Sequence, residues 1–297
     1  MKPQANVLEI EGSGRVIARE DGRLGRILAE EGKLASADIE RVLERQRIDG
    51  LRFGETALAL GLITPGDLGS AVAKQYGVPY LQPGSQSSIS KEIVVVHEPF
   101  HARAEELRAL RTQLAIRWSR EGVKQRVLAV VSPGPCEGRS YVAANLAVAF
   151  SQVGERTLLI DADLRSPRLH RIFNVPDRIG LSAVLSGRAD RGAVVPVPQF
   201  TSLSILPAGA CPPNPQELLL RPAFIAIMDE LRADFDVILF DTPPARLYAD
   251  AQTLAFHAGS AMLLARKDHT RVGDTARVIR ELGDTGARIL GAVFNAF

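Results

Sequence analysis

The chain has 297 residues, of which 46% are hydrophobic, and this length and composition suit about two domains with conventional cores. Its net charge of +2 gives no strong electrostatic field for nucleic acid or for a membrane surface, so neither is an expected partner. The sequence contains no run of about 18 apolar residues that would predict a membrane helix, and residues 1–12 carry no apolar run of signal length. The two cysteines define no disulfide framework. These features predict a cytoplasmic protein.

After a tail predicted over residues 1–18, the chain carries an internal repeat with an offset of 29 residues. Each copy begins with an arginine, a bulky apolar residue and a glycine, and ends with a glutamine. The pairs are Arg23 and Arg52, Leu24 and Phe53, Gly25 and Gly54, and Gln46 and Gln75. Ser36 and Thr64 are predicted to cap a helix in each copy, since apolar residues at helical spacing follow them. The repeat therefore predicts two helical hairpins in a small domain over residues 19–82.

This repeat resembles the N-terminal domain of type II secretion and pilus ATPases, in the version that binds cyclic di-GMP. The resemblance implies that the eight paired residues contact that ligand. Their chemistry is suitable, because arginine supplies charge-assisted hydrogen bonds, glycine permits close approach of the backbone, and an amide side chain both donates and accepts. The alternative is a helical docking module in which the glycines only end helices and the arginines are solvated.

A polar boundary containing proline and glycine comes next, and residues 83–99 are predicted as a linker in which Ile93–Val96 adds an edge strand. A helical segment then carries Glu105, Arg108 and Arg111 on one ridge, because residues three apart are neighbours on a helix surface. This ridge forms either a solvated, salt-bridged face or a contact between subunits.

The most informative segment is a glycine- and proline-rich turn over residues 132–140, which lies between an apolar run and a helical run. The backbone amides of such a turn can cradle phosphate at a helix N-terminus. The strict pattern G-x-x-x-x-G-K-[ST] fails at Pro133 and at Arg139, which replaces the lysine, whereas the last glycine and the serine stay in register. The residues predicted to contact ATP here are Gly134, Pro135, Cys136, Glu137, Gly138, Arg139, Ser140 and Tyr141.

Two later apolar segments end in carboxylates, at Asp161 and Asp163 in the first and at Asp241 in the second. In an open parallel sheet, ligands bind beyond the carboxyl ends of the strands, so these side chains are expected beside the phosphate loop. Mg²⁺ binds one or two carboxylates together with phosphate oxygens, and the Ser140 hydroxyl is a further candidate ligand. The alternative is a buried turn next to two buried acidic strand ends.

The rest of the chain alternates strands and helices. Strands are expected near residues 204–206, 237–240, 261–265 and 289–294, and helices near 215–232, 249–256 and 272–282. The predicted fold is α/β, with a doubly wound, mostly parallel sheet over residues 100–297 that a small, mainly helical domain precedes. Asn295, just past the last strand, either reads adenine or serves as a turn residue.

Together these segments resemble the bacterial tyrosine-kinase family of capsule and exopolysaccharide assembly, whose cytoplasmic domain is a P-loop ATPase of the deviant Walker type. The resemblance implies that Asp163 and Asp241 hold Mg²⁺ directly or through water, and that Asp161 is the catalytic base. It also favours the subunit contact at the Glu105 ridge, and hence a homo-oligomer. The sequence departs from the family at its last residues, which form no tyrosine-rich tail. Its tyrosines are Tyr76, Tyr80, Tyr141 and Tyr248.

The leading interpretation is an Mg-ATP-dependent phosphotransferase or ATPase of the protein tyrosine kinase type. It would partner an inner-membrane polysaccharide co-polymerase, control exopolysaccharide chain length or export, and lie in the cytoplasm, attached to the inner membrane through that partner. The alternative is a catalytically weak switch or scaffold that responds to nucleotide and cyclic di-GMP and has no kinase activity. Two further alternatives fit less well. A cell-division ATPase should carry a lysine at the position of Gly134, and only the N-terminal domain of this chain resembles a pilus-type motor.

Overall fold

A computed structural model describes residues 23–75, 88–120 and 126–296 of the chain. The chain divides into two compact units, Met1–Ser85 and Gln86–Phe297, and this boundary lies within the predicted linker 83–99. The predicted tail, Tyr76 and Tyr80 lie outside the described residues.

The first unit is helical, as the repeat predicts. Its helices are α1 (23–30), α2 (Ser36–Asp49), α3 (Phe53–Ala59) and α4 (Pro65–Gln75). Equivalent glycines, Gly32 and Gly61, follow the first helix of each copy with φ of 67° and 66°, a left-handed conformation that only glycine adopts without strain. The core is built from apolar residues of both copies: Leu24, Ile27, Leu28, Leu34, Val42, Phe53, Ala57, Ile63 and Ala71.

One of the two predicted helix caps is confirmed. The Thr64 hydroxyl accepts a hydrogen bond from the Asp67 amide at 3.2 Å, and the Asp67 carboxylate accepts one from the Thr64 amide at 3.0 Å. Such reciprocal bonds satisfy amides that have no partner within the helix. The prediction for Ser36 is wrong by one position, since α2 begins at Ser36 and the capping position is Ala35, which makes no side-chain cap.

The second unit is built around a seven-stranded sheet. Its strands are β1 (Arg126–Val131), β2 (Thr157–Asp161), β3 (Val195–Pro196), β4 (Leu203–Leu206), β5 (Val237–Asp241), β6 (Ser260–Arg266) and β7 (Arg288–Asn295). Their order is β3-β4-β2-β5-β1-β6-β7, and every neighbouring pair is parallel except β3 and β4. The predicted mostly parallel, doubly wound sheet is therefore confirmed.

Helices cover this sheet. They are α5 (Val94–His97), α6 (Ala102–Arg120), α7 (Arg139–Ser151), α8 (Leu169–Phe173), α9 (Leu181–Leu185), α10 (Pro215–Leu219), α11 (Pro222–Asp234), α12 (Asp250–Ala258) and α13 (Val272–Asp284). The strands β1, β2 and β5 are buried on both faces, which explains why each reads as a continuous apolar run. Within the described ranges, no helix is both long enough and apolar enough to span a membrane.

Two predicted elements of the second unit are wrong. Residues Ile93–Val96 do not form an edge strand, because Val94–Val96 belong to helix α5, where Val95 is buried and its amide donates to Asn145 Oδ1 at 3.3 Å. The helix expected over 215–232 is two helices, because Pro222 lacks an amide hydrogen and starts α11 at its first position.

Candidate nucleotide site

The carboxyl ends of three central strands bring the predicted phosphate loop and carboxylates together. Residues 132–138 follow β1 and lead into α7, with Gly138 at the helix cap and a φ of 97°. In the sheet register Asp161 lies opposite Asp241, and Asp241 lies opposite Val130 of β1. The ends of β2 and β5 therefore lie side by side, with β5 next to the strand that carries the loop, which is the arrangement expected for a site at this edge.

The buried side chain of Glu137 connects two parts of the phosphate loop region by hydrogen bonds. Its side chain is 2% exposed, and its carboxylate accepts a hydrogen bond from the Gly134 amide at 2.7 Å and one from the Thr270 hydroxyl at 2.5 Å. The Arg266 guanidinium donates to the Cys136 carbonyl at 3.1 Å. Cys136 has a φ of 57°, an uncommon conformation for a residue other than glycine. Thr270 and Arg266 lie more than a hundred residues away in the sequence, and no local motif signals them.

Arg139 is almost fully buried inside the loop. Its Nε donates to the Thr242 carbonyl at 2.7 Å, and its Nη1 donates to the Gly134 carbonyl at 2.5 Å and to the Ser132 hydroxyl. The guanidinium thus joins the loop after β1 to the loop after β5. A lysine ammonium is a point charge and cannot reproduce this planar set of contacts.

The three carboxylates are buried and differ in their partners. Asp161 Oδ2 accepts hydrogen bonds from the amides of Arg168 and Leu169 at 3.1 and 3.0 Å, while its Oδ1 is buried with no partner among the described residues. Asp163 Oδ1 accepts from the amides of Arg165 and Ser166 at 3.2 and 2.9 Å. The turn over residues 165–169 therefore fixes both carboxylates of the β2 segment.

Burial also changes the acidity of two of these groups. Burial, together with the nearby Asp241 charge, raises the pKa of Asp161 well above its usual value. Burial raises the pKa of Asp241 to about 6, although the Ser140 hydroxyl and the Arg139 charge oppose the rise. Neither oxygen of Asp241 has a hydrogen-bond partner of good geometry within the described part of the chain. Unsatisfied buried carboxylate oxygens are costly, which is a reason to expect a ligand beside them.

Ser140, Asp163 and Asp241 suit a magnesium ion that takes its other ligands from phosphate and water. The orphaned oxygens of Asp241 and the hydroxyl of Ser140 are hard oxygen donors of the kind that Mg²⁺ prefers. Among the residues that the structure describes, no group of three or more His, Cys, Asp or Glu side chains could hold a metal by itself. A site with two carboxylates matches an ion that binds with phosphates and keeps several waters.

The remaining ATP candidates lie around this loop. The Asn295 side-chain amide donates to the Glu137 carbonyl at 3.2 Å, so the end of β7 is tied to the phosphate loop. Tyr141 is half-buried at the start of α7, and burial raises the pKa of its hydroxyl. The loop positions Gly134, Pro135 and Cys136 lie between β1 and the cap at Gly138. The reading of adenine by Asn295 stays a prediction.

In the first unit, the eight predicted ligand contacts fall into two groups. Arg23 and Arg52 are exposed, and Gln46 and Gln75 are half-buried, whereas the apolar residues and the glycines are buried. A Cβ on Gly54 would lie 2.5 Å from Leu68 Cδ1, and one on Gly25 would lie 3.0 Å from the Phe53 ring. The two glycines thus allow close packing inside the unit, and the arginines remain available to a ligand.

The Glu105 ridge is largely engaged within its own unit. Arg108 pairs with Glu105 and also donates to the Pro99 carbonyl at 2.6 Å. Arg111 donates to the Ala149 carbonyl at 3.2 Å, and burial lowers the pKa of its guanidinium. Both arginines of the ridge therefore donate hydrogen bonds to backbone carbonyls of the second unit, and Glu105 is the exposed residue of the three.

Comparison with known proteins gives a consistent result. Residues 126–276 match the family model described as "Cellulose biosynthesis protein BcsQ". The tyrosine-protein kinase YwqD of Bacillus subtilis is 33% identical over 215 residues, which cover 72% of this chain and 90% of YwqD. EpsB of Ralstonia solanacearum is 36% identical over 192 residues, which cover 65% of this chain and 25% of EpsB. The chain thus spans about a quarter of EpsB.

Solved structures agree with these relatives. The kinase domain of the Escherichia coli tyrosine kinase ETK is 25% identical and has a TM-score of 0.66, with 75% of this chain and 92% of that domain covered. The septum site-determining protein MinD of Pyrococcus horikoshii, solved with Mg-ADP, is 29% identical and has a TM-score of 0.51, with 58% of this chain and 70% of MinD covered.

Proposed function

Because this chain belongs to the bacterial tyrosine-protein kinase family, with the BcsQ- and MinD-like nucleotide-binding fold, we propose that it transfers the γ-phosphoryl group of Mg-ATP to a tyrosine hydroxyl or to water. The observation that carries this proposal is the set of three buried carboxylates at the phosphate loop, two of them with orphaned oxygens. The chain would act with an inner-membrane polysaccharide co-polymerase and control the length or export of an exopolysaccharide.

Each residue has a distinct part in the proposed chemistry. Ser140, Asp163 and Asp241 would hold magnesium, which neutralises charge on the β- and γ-phosphates when it is bound. Asp161 accepts the proton of the attacking hydroxyl on Oδ1, while two backbone amides keep its other oxygen in place. A raised pKa makes this carboxylate a stronger base than an exposed aspartate. Arg139 supplies positive charge at the lysine position.

The test is ATP turnover by the full chain, with and without the cytoplasmic segments of the co-polymerase from the same organism, followed by detection of phosphotyrosine. Turnover that the partner stimulates, with phosphate on tyrosine, supports the kinase. Turnover with phosphate released only to water supports an ATPase. A rate equal to that of buffer, with the partner present, rejects both.

The second candidate is a nucleotide-dependent switch without kinase activity. It is favoured by Arg139, whose donors are engaged by the carbonyls of Gly134 and Thr242 and by the Ser132 hydroxyl. Such a guanidinium can fix the loop without following the phosphate into the transition state. The substitution Arg139→Lys separates the two candidates. Lysine should raise the ATP turnover of an enzyme, whereas the ATP turnover of a switch should change little.

We also propose that the first unit binds cyclic di-GMP through Arg23 and Arg52. Support comes from the paired arginines, which are exposed at equivalent positions of the repeat. Each charge-assisted hydrogen bond is worth about 1.5 to 3 kcal/mol, so Arg23→Ala or Arg52→Ala should weaken binding roughly tenfold or more. Calorimetry on the full chain tests this, with Arg26→Ala as the control, since Arg26 is exposed and forms an ion pair with Glu30 on the same helix. No heat at high micromolar ligand would reduce the unit to a docking module.

The proposed cellular setting is the cytoplasm, with attachment to the inner membrane through the co-polymerase. A homo-oligomer would form through the ridge of Glu105, Arg108 and Arg111. Light scattering on Glu105→Lys tests the oligomer, because Glu105 is the exposed residue of the three and its change leaves the backbone contacts of the two arginines in place. An unchanged mass for that variant would reject the ridge as the subunit contact.

A further inference from the structure

A cavity of about 1000 Å³ opens in the second unit beside the turn that holds the β2 carboxylates. Its lining residues lie within the segments 90–92, 165–178 and 209–211, and none of the three site carboxylates is among them. Four arginines line one stretch of this wall: Arg165, Arg168, Arg171 and Arg178. We call this cavity the arginine pocket.

The arginine pocket already binds carboxylates from its own unit. The Glu92 carboxylate accepts two hydrogen bonds from Arg168 at 2.8 Å, and the Asp250 carboxylate pairs with Arg165 at 3.1 Å. Arg171 and Arg178 have no carboxylate partner within the described ranges of the chain. Asp177, the other carboxylate of the wall, pairs with His170 at 3.3 Å. The four arginines outnumber the carboxylates of Glu92, Asp177 and Asp250, so the wall keeps a net positive charge that can bind a further carboxylate.

The order of the strands places this pocket on one side of the catalytic groups. Along the sheet edge, the phosphate loop follows β1, Asp241 ends β5, Asp161 ends β2, and residues 209–211 follow β4. The carboxylates thus lie between the nucleotide loop and the arginine pocket. The turn over residues 165–169 connects the two sites. The backbone amides of Arg165 and Arg168 donate to Asp163 and Asp161, and the side chains of the same two arginines line the pocket.

We infer that the arginine pocket binds an acidic, tyrosine-containing segment of an acceptor protein, with its carboxylates on Arg171 and Arg178 and its tyrosine directed to Asp161. This inference rests on the proposed function. In the transfer step, the tyrosine O–H gives its proton to Asp161, a bond forms between the tyrosine oxygen and the γ-phosphorus, and the bond from that phosphorus to the leaving oxygen of ADP breaks. Cavities of this volume accept ligands much larger than a free phosphate, which favours a peptide.

The test uses the full chain with Mg-ATP and a random glutamate–tyrosine copolymer as substrate. The double variant Arg171→Gln, Arg178→Gln is compared with the matched control Arg47→Gln, Arg280→Gln, which removes two exposed arginines elsewhere. The pocket variant should raise the KM for the copolymer roughly three- to tenfold, because each exposed ion pair contributes little by itself. Both kcat and the KM for ATP should stay unchanged, and added salt should remove the difference.

A second measurement separates the pocket from the proposed function. Fluorescence anisotropy with a labelled glutamate–phenylalanine copolymer reports binding without phosphoryl transfer. Binding that the pocket variant weakens and the control does not, in the absence of any phosphorylation, supports the pocket and rejects the kinase. Equal binding and equal KM for wild type and pocket variant overturn the pocket, whatever the turnover. Competition by inorganic phosphate, without arginine-dependent binding of the copolymer, also overturns it.

Discussion

The buried carboxylate of Asp241 should make the ligand-free protein less stable than it could be. The pKa of this group rises from 3.8 to about 6, and each pH unit corresponds to about 1.36 kcal/mol, so keeping the charged form buried costs about 3 kcal/mol. Asparagine has nearly the same shape and no charge. Asp241→Asn should therefore raise the free energy of unfolding by up to about 3 kcal/mol above pH 6.

The sign of the pH dependence follows from proton binding. Between pH 3.8 and about 6, the folded protein holds a proton on Asp241 that the unfolded chain has released, so stability falls as the pH rises through this window. Above the window the penalty is complete, and below it the carboxyl group is neutral in both states. The gain from Asp241→Asn should thus be largest at pH 8 and should disappear near pH 4. Asp161 adds to the gain, since the Asp241 charge contributes to its raised pKa.

The assay is urea unfolding of the full chain at pH 8 and pH 5, in EDTA and without nucleotide. Trp118, the only tryptophan of the sequence, is buried in α6 and reports on the second unit. Asp250→Asn is the control, because Asp250 is buried in an ion pair with Arg165 at 3.1 Å and its loss should destabilise the fold. If Asp241→Asn is no more stable than wild type at pH 8, or if its gain does not vary with pH, the electrostatic argument is refuted.

Three further outcomes are expected. Asp163→Asn should lower ATP turnover more than ATP affinity, because the metal contact strengthens as charge moves in the transition state, and equal losses in an activity and binding assay would contradict this. Mass spectrometry should find phosphotyrosine on the partner and not on Tyr141, which is half-buried, or on Tyr248, whose ring lies 3.9 Å below the Arg165 guanidinium. Cys136→Gly should raise the free energy of unfolding by up to about 1 kcal/mol, because glycine removes the left-handed strain and loses some of that gain to chain entropy; a lower midpoint in urea would count against it.

Most of the sheet could be predicted from the sequence because its central strands are buried on both faces. Short, continuous apolar runs such as Val237–Phe240 are typical of buried parallel strands, and the carboxylates that follow them mark the strand ends. The same logic brings Asp161 and Asp241 together, since neighbouring parallel strands share an edge. The apolar run Ile93–Val96 misleads, because burial against α7 stabilises a helical turn against the β-propensity of valine.

The contacts that shape the phosphate loop could not be predicted in this way. Thr270 and Asn295 meet Glu137 only because β6 lies next to β1 in the sheet and β7 lies next to β6, and that neighbourhood follows from topology. Pro222, by contrast, gives a local signal for the break between α10 and α11, because proline is favoured in the first turn of a helix and disfavoured inside one.

Contacts within the loop hold the Gly134 peptide in place. Its amide donates to the Glu137 carboxylate and its carbonyl accepts from Arg139, so two oppositely charged side chains fix the same peptide from both sides. A loop held in this way binds nucleotide with little loss of conformational entropy, which favours affinity. The same contacts hold the Arg139 charge on backbone carbonyls, whereas catalysis needs that charge to strengthen its contact as the phosphoryl group moves. Affinity and turnover should therefore be separable at residue 139, and a lysine there should lower the first while it raises the second.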